Sequence, residues 1–235
     1  MNLILLSNSR NPGSGYLEHA LEWVSKSFHG VKKVAFVPYA GVRVSYDDYE
    51  KIVADAFSAL DMEVVSVHRS ARPAEVVESC DAVAVGGGNT FHLLERMYAT
   101  GMMDAIRTGV QNGMPYAGWS AGSNVACPGL WTTNDMPIIE PPSMQALGLV
   151  PFQINPHYLD AHPDGHMGET REQRILEFVQ INREMPVVGL REGSALFVNG
   201  REVRLLGPRS ARIFRGVHAP EELPPGATLN FPKLP

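Results

Sequence analysis

The sequence predicts an α/β protein with a mostly parallel central sheet that is flanked by helices on both faces. Short apolar segments alternate with longer amphipathic segments through the first half of the 235-residue chain. Several apolar segments are unbroken runs, as expected for strands that are buried on both faces. Such alternation is typical of βαβ units, whose crossovers keep the strands parallel. The length fits a single domain over residues 1–235.

The elements of the first half follow from these patterns in order. Strands are predicted at 2–7, 31–40, 62–69, 81–87 and 114–120. Helices are predicted at 15–29, 46–60, 73–79, 90–100 and 102–112. In the segment 46–60, for example, Tyr49, Val53 and Phe57 fall on one helical face.

The second half of the sequence is less regular. Residues 128–168 are rich in proline and histidine and lack periodicity, which predicts loops and short strands. A helix is predicted at 169–183, and short strands joined by tight turns are predicted at 186–207. Within the last segment, Asn199-Gly200 is a strong hairpin signal.

The charge and composition exclude several classes of function. The net charge is −5, with 20 basic and 25 acidic residues and no long basic run, so we expect no nucleic-acid surface. An acidic protein that recognises an acidic substrate needs a local cation. Cys80 and Cys127 lack metal-ligand spacing and are expected to be small buried thiols.

The start of the chain predicts a strand rather than a signal peptide, because its apolar run is short and no basic segment precedes it. No apolar stretch reaches the ~18 residues that indicate a membrane span. We therefore expect no membrane association and a cytoplasmic location.

Residues 118–122, Gly-Trp-Ser-Ala-Gly, contain the G-x-S-x-G pattern of a nucleophile elbow. Ser120 follows a predicted strand and precedes small residues that are able to open a helix, which is the context that this motif requires. The flanking glycines permit a tight turn. Taken alone, the motif fits a glycine-rich helix cap equally well.

A serine nucleophile also needs donors for the oxyanion. In elbow enzymes one donor is the backbone N–H of the residue after the nucleophile, here Ala121. The loop Gly86–Gly88, followed by Asn89 and Thr90, offers further N–H groups that no side chain covers. Phosphate-binding loops share the order strand, glycines, helix, but this loop lacks their spacing.

Among the eight histidines, His157 is favoured as the base. It ends the predicted short strand of FQINPHY, where Pro156 fixes the approach of the chain. His162 and His166, with Asp160 and Asp164 nearby, match no standard metal-ligand spacing and indicate a solvated loop.

Two carboxylates compete as the partner of the base. Asp135 lies in TTNDMPI, where it is equally suited to position a loop or to bind a substrate amine. Glu192 follows the predicted strand 187–190 and precedes a glycine, a typical catalytic position at a strand end. The residues alone leave this choice open.

Seven segments together resemble the peptidase E family. These serine peptidases cleave dipeptides with an N-terminal aspartate, and their fold is related to class I glutamine amidotransferases. The matching segments are LLSNS (5–9), GGGNTF (86–91), GWSAG (118–122), TTNDMPI (132–138), INPH (154–157), GETREQRI (168–175) and GLREG (189–193). Arg191 stands where the family commonly has proline, and no segment after about residue 205 matches.

The resemblance implies a role for each site residue. The triad falls on Ser120, His157 and Glu192, and the oxyanion donors on the N–H groups of Gly88 and Ala121. Arg171 is implied to hold the aspartate side chain of the substrate. The remaining candidates for substrate binding are Asn89, Thr90 and Asp135.

We further expect small acidic dipeptide substrates, no metal or cofactor, and a monomer or weak homodimer. A cyanophycinase-like peptidase of the same clan and a non-catalytic small-molecule binding protein of this fold are the alternatives. A lipase or esterase is disfavoured, because those enzymes have the chain order Ser, Asp or Glu, His.

Overall fold

The structure is a computed structural model that describes residues 1–160, 165, 167–229 and 231. His162, His166 and Asp164 lie outside these residues, so the predicted solvated loop is not described there. No helix in the described part of the chain is long and apolar enough to cross a membrane.

The strands are short and most are buried. They are β1 (Asn2–Leu6), β2 (Lys33–Val37), β3 (Glu63–Ser66), β4 (Ala82–Val85), β5 (Tyr116–Trp119), β6 (Gln153–Pro156), β7 (Val187–Leu190), β8 (Ala195–Asn199), β9 (Glu202–Leu206), β10 (Ala211–Phe214), β11 (Glu221–Leu223) and β12 (Thr228–Leu229). The strands predicted in the first half are all present, each trimmed by a few residues.

The helices are α1 (Leu21–Ser27), α2 (Tyr46–Ser58), α3 (Pro73–Glu78), α4 (Thr90–Ala99), α5 (Met102–Gln111), α6 (Ala121–Ala126) and α7 (Arg171–Ile181). They confirm the predicted helices, with one difference. The helix predicted at 15–29 begins as a 3-10 turn at Glu18–Ala20, because Leu17 adopts a left-handed conformation with φ 56° that an α-helix does not accept.

The larger sheet has eight strands in the order β12-β9-β8-β1-β5-β4-β2-β3. From β1 to β3 all neighbours are parallel, whereas β8, β9 and β12 pair antiparallel at the other edge. The predicted fold class is therefore confirmed. The predicted hairpin is also present, with Asn199 opposite Glu202 and the turn at Gly200-Arg201.

Both faces of this sheet are covered by apolar side chains. Successive residues of a strand point to opposite faces, and in β1 the side chains of Leu3 and Leu5 join one core while those of Ile4 and Leu6 join the other. Helices α1 and α2 pack in the second core, and α3 to α6 pack in the first. Full burial of each such side chain contributes about 1.5–3 kcal/mol. Cys80 and Cys127 are free and buried, as predicted.

A smaller sheet has four strands in the order β11-β10-β7-β6. Strands β6 and β7 are parallel, with Pro156 opposite Leu190. In the larger sheet, Leu6 lies opposite Trp119 and Val85 opposite Gly118. The carboxyl ends of β1, β4 and β5 are thus neighbours, as are those of β6 and β7, and the residues after each end form the candidate active site.

Candidate active site

Ser120 occupies a sharp turn between β5 and α6. Its backbone has φ 53° and ψ −112°, a region that costs about 1–3 kcal/mol for a residue other than glycine. Its N–H donates to the carbonyl of Leu6 at 3.1 Å. Gly122 packs so closely against β4 that an added Cβ would lie 2.1 Å from the Val85 oxygen. The elbow predicted from the motif is therefore present, and close packing against β4 requires glycine at position 122.

Ser120, His157 and Glu192 form a hydrogen-bonded chain. The imidazole Nε2 of His157 is 3.1 Å from the Ser120 hydroxyl, and Nδ1 is 2.6 Å from Oε1 of Glu192. These partners favour the tautomer in which Nδ1–H donates to the carboxylate and Nε2 accepts from the serine. The His157 and Glu192 side chains are 40% and 45% exposed, so solvent reaches the pair. The pairing of β6 with β7 places both residues at adjacent strand ends.

The backbone of His157 is held from two sides. His157 has φ 53°, an uncommon left-handed conformation. Its N–H donates to Ser7 Oγ at 2.8 Å, and its carbonyl accepts from Arg171 Nη1 at 2.6 Å. The Ser7 hydroxyl in turn donates to the Leu190 carbonyl at 2.7 Å. Ser7 lies in the LLSNS segment, but no role for it was predicted.

The turn that carries Glu192 is also fixed. Asn8 Oδ1 accepts the N–H of Gly193 at 2.8 Å. On the other side of Glu192, the guanidinium of Arg191 binds Asp160 at 2.7 Å and Glu222 at 2.9 Å. The Arg191 side chain is only 13% exposed. The residue that departs from the family pattern thus anchors the turn.

The ion pairs around Arg191 extend to the last strands of the smaller sheet. Arg212 binds Glu172 at 2.8 Å and Glu222 at 3.1 Å. Hydrogen bonds from Arg191, and further ones from Ser210 and Arg212, lower the pKa of Glu222 to about 2 against the effect of burial. Arg191 and Glu172 lie in segments that carry the family resemblance, but their partners Arg212 and Glu222 lie beyond every such segment, and sequence reasoning did not find the network.

The glycine loop after β4 approaches the nucleophile directly. An added Cβ on Gly87 would lie 3.1 Å from the Cβ of Ser120. Gly88 has φ 139° and an added Cβ there would lie 2.1 Å from the Ala40 oxygen, so only glycine fits. Among the described residues, the N–H of Gly88 has no hydrogen-bond partner. Ala121 is the first residue of α6, where a helix leaves its N–H groups free.

Tyr49 connects the glycine loop to the elbow. Its hydroxyl donates to the Gly87 carbonyl at 2.9 Å and accepts from Trp119 Nε1 at 3.1 Å, while the Tyr16 hydroxyl lies 3.1 Å away. Burial raises the pKa of Tyr49. The sequence indicated Tyr49 only as a core residue of α2. No motif signals that its hydroxyl also joins the glycine loop to the strand before the elbow.

Helix α4 is capped by Asn89, and the loop after α6 binds the same end of this helix. Asn89 Oδ1 accepts the N–H of His92 at 3.0 Å, and Asn89 Nδ2 donates to the Met136 carbonyl at 2.9 Å. Asp135 Oδ2 accepts the N–H of Thr90 at 2.7 Å and also binds its hydroxyl. Thr90 was predicted to bind substrate, but it is fully buried, so its side chain is not placed to contact one. It holds Asp135 instead.

Two cavities lie at the candidate site, and His157 lines the second of them. The first, the Arg171 cavity, has a volume of about 850 Å³ and includes Arg171, Asp135 and Asn155 in its lining. The second, the Ser120 cavity, has a volume of about 740 Å³ and includes Ser120, His157 and Gly88. Both volumes suit a small-molecule site.

Arg171 lies half-buried in the wall of its cavity. Within the described part of the chain, no carboxylate lies within ion-pair distance of it. Its pKa is lowered, first by burial and then by the charge of Arg174. A partly desolvated cation without an anionic partner is suited to bind an anion.

One group of described residues has the composition of a metal site, Asp47, Glu50 and His68. Its carboxylates already have cationic partners, because Arg69 lies 3.0 Å from Asp47 and 2.5 Å from Glu50. His68 Nε2 is also 3.0 Å from Asp47. The group is therefore explained as a surface ion-pair cluster.

Comparison with known proteins identifies the family. The model of peptidase family S51 matches residues 3–206. The chain belongs to peptidase family S51. Members of this family are serine peptidases, and the protein is therefore a serine peptidase. The resemblance inferred from the sequence segments is confirmed.

Curated relatives of this S51 peptidase span nearly the whole chain. A protein named peptidase E from Streptomyces coelicolor (strain ATCC BAA-471 / A3(2) / M145) is 51% identical over 98% of this chain and 94% of its own length. Another peptidase E, from Shewanella sp. (strain ANA-3), is 46% identical over 98% of both chains. A solved peptidase from an acI-B1 Actinobacterium is 18% identical, with a TM-score of 0.70 over 98% of this chain and 96% of its own. That structure shows a common fold.

Proposed function

We propose that this serine peptidase hydrolyses dipeptides with an N-terminal aspartate through an acyl-enzyme on Ser120. The observation that carries the proposal is the chain of hydrogen bonds from Ser120 through His157 to Glu192, at 3.1 and 2.6 Å. A nucleophile, a base and an orienting acid at these distances are the arrangement required for acyl transfer.

The reaction proceeds in two halves. His157 Nε2 removes the proton from Ser120 as Oγ attacks the carbonyl carbon of the aspartyl residue. The C–N bond then breaks, and His157 returns the proton to the amine of the departing residue. Water, deprotonated by His157, hydrolyses the aspartyl ester and releases aspartate. Glu192 stabilises the imidazolium that forms in each half.

The oxyanion of each tetrahedral intermediate lies between the N–H groups of Gly88 and Ala121. Support for this comes from the N–H of Gly88, which has no partner among the described residues, and from the close approach of the glycine loop to Ser120. Loss of one such donor typically lowers the rate by about 100- to 1000-fold.

Arg171 binds the side-chain carboxylate of the substrate aspartate in the Arg171 cavity. The support is its half-buried position and the lack of a carboxylate partner among the described residues. A carboxylate ligand offsets the unfavourable burial of the cation and accepts two parallel hydrogen bonds from a guanidinium.

The free amino terminus of the substrate binds in the same cavity. Asp135 supplies a negative charge. Asn89 binds the loop that carries Asp135 and so connects this loop to α4. Asn155 is a further candidate that sequence reasoning missed. Its Nδ2 is fixed by Thr132 and Asn134, whereas its buried Oδ1 has no partner among the described residues. A substrate ammonium satisfies such an acceptor, which otherwise costs about 1–3 kcal/mol.

A substrate panel tests the proposal. We expect release of aspartate from Asp-Leu, and strongly reduced kcat/KM for the isosteric Asn-Leu, for Glu-Leu and for N-acetyl-Asp-Leu. Ser120→Ala is expected to fold and to lose turnover and labelling by a fluorophosphonate probe. Equal turnover of Asp-Leu and Asn-Leu contradicts the specificity, and turnover by Ser120→Ala contradicts the nucleophile.

A further inference from the structure

The Ser120 cavity has an apolar wall that the proposed mechanism does not use. Val42 and Val44 come from the loop after β2, Ile52 from α2, and Ile138 from the loop after α6. Val42 is 53% exposed and Ile138 is 55% exposed. Apolar side chains that border a nucleophile and face solvent form a surface that an apolar ligand group is able to cover.

The two cavities differ in chemistry. Charged groups in the Arg171 cavity suit the aspartyl half of the substrate, which carries a carboxylate and an ammonium. Since the scissile bond lies at Ser120, the departing residue then extends into the other cavity. His157 lines the Ser120 cavity, where it is placed to return a proton to the departing amine.

Arg43 supplies the charge of the Ser120 cavity. It lines the cavity beside Val42 and Val44, and its side chain is exposed. In the described residues, Arg43 has neither a hydrogen bond nor an ion pair through its side chain. The departing residue of a dipeptide carries a free α-carboxylate, which a guanidinium binds through two parallel hydrogen bonds.

We propose that the Ser120 cavity receives the residue that follows aspartate, selects a large apolar side chain there, and binds its free carboxylate at Arg43. This inference rests on the proposed function and extends it to the second residue of the substrate. A carboxylate site in the same cavity as Ser120 favours dipeptides over longer peptides, because only a dipeptide has its carboxylate on the residue after aspartate.

The side-chain preference is tested with Asp-Leu, Asp-Phe, Asp-Gly, Asp-Lys and Asp-Asp. Burial of a Leu or Phe side chain on this wall is expected to raise kcat/KM by about 10-fold or more over Asp-Gly. Ile138→Asn is expected to reduce that ratio. Ile139→Asn is the matched control, because Ile139 is the next residue and does not line the cavity.

The carboxylate site is tested by comparing Asp-Leu with Asp-Leu-amide. Wild type is expected to prefer Asp-Leu by about 10-fold, and Arg43→Gln is expected to abolish that preference by lowering kcat/KM for Asp-Leu more than for the amide. Arg201→Gln is the control, since Arg201 is an exposed arginine in the turn between β8 and β9. If Arg43→Gln lowers activity on both substrates equally, Arg43 does not bind the carboxylate.

The outcomes separate this inference from the proposed function. If wild type hydrolyses none of the Asp-X peptides, the proposed function fails and this inference fails with it. If wild type releases aspartate from all of them with equal kcat/KM, the proposed function stands and the apolar subsite is wrong. If Asp-Leu and its amide are hydrolysed equally by wild type, the carboxylate site is wrong.

Discussion

The guanidinium of Arg171 donates from Nη1 to the carbonyl oxygen of His157 at 2.6 Å. The same guanidinium lines the cavity in which we propose that the substrate aspartate binds. Arg171 therefore links the recognition of an acidic side chain to the backbone position of the base. A change at this residue is expected to affect both binding and catalysis.

Arg171→Gln is predicted to separate these two roles. Loss of the charged contact to the substrate lowers kcat/KM for Asp-Leu by about 10- to 100-fold, so that the ratio of Asp-Leu to Asn-Leu falls towards one. Loss of the bond to His157 lowers kcat for both substrates alike. Arg174→Gln, in the same cavity wall, is the control and keeps the ratio. An unchanged ratio in Arg171→Gln would assign the aspartate site elsewhere.

Glu192→Gln is predicted to lower kcat by about 100- to 10,000-fold with little change in KM. The amide still reaches His157 but no longer stabilises the imidazolium, and it favours the wrong tautomer. The check is steady-state kinetics on Asp-Leu, with circular dichroism to verify folding. Glu184→Gln, at an exposed position, serves as the control. Activity within a few-fold of wild type would remove Glu192 from the triad.

Much of the fold was predictable, because the buried parallel strands leave a direct signal in the sequence. Leu3 to Leu6 form an unbroken apolar run, since alternate residues pack into cores on opposite faces of the sheet. Ser120 and His157 were also predictable, because each follows a strand at a position marked by glycine or proline.

The choice between Asp135 and Glu192 was not predictable from the residues. It depends on the pairing of β6 with β7, which places Pro156 opposite Leu190 and so brings His157 and Glu192 to adjacent strand ends. The register of two strands some thirty residues apart leaves no local pattern. Thr90 illustrates the same limit, because its burial follows from the loop that carries Asp135.

Tyr49→Phe is predicted to lower kcat by about 10-fold while KM changes little. The variant removes the hydrogen bond to the Gly87 carbonyl, so the Gly88 N–H is held less firmly against the developing oxyanion. It also leaves Trp119 Nε1 without its acceptor, at a cost of about 1–3 kcal/mol in the free energy of unfolding.

Tyr46→Phe is the control for Tyr49→Phe. Tyr46 lies one turn earlier in the same helix, and its hydroxyl makes no hydrogen bond to the described residues. Urea unfolding reports the stability of both variants, and kinetics on Asp-Leu report the oxyanion site. If Tyr49→Phe is less stable but keeps the wild-type kcat, Tyr49 supports the fold and not the oxyanion site.

Glu222→Gln is predicted to change the dependence of stability on pH. In the folded protein the pKa of Glu222 is about 2, against an ordinary value of 4.5, chiefly because Arg191 binds the carboxylate. A lowered folded-state pKa stabilises the protein above the unfolded pKa, and this stabilisation is lost as the pH falls from about 4.5 to 2. Wild type is therefore more stable than Glu222→Gln at pH 7, and the difference shrinks below about pH 4.5. Urea midpoints at pH 7, 5 and 3 measure it, with Glu184→Gln as control. A difference that stays constant with pH would mean that Glu222 contributes through packing rather than through its ion pairs.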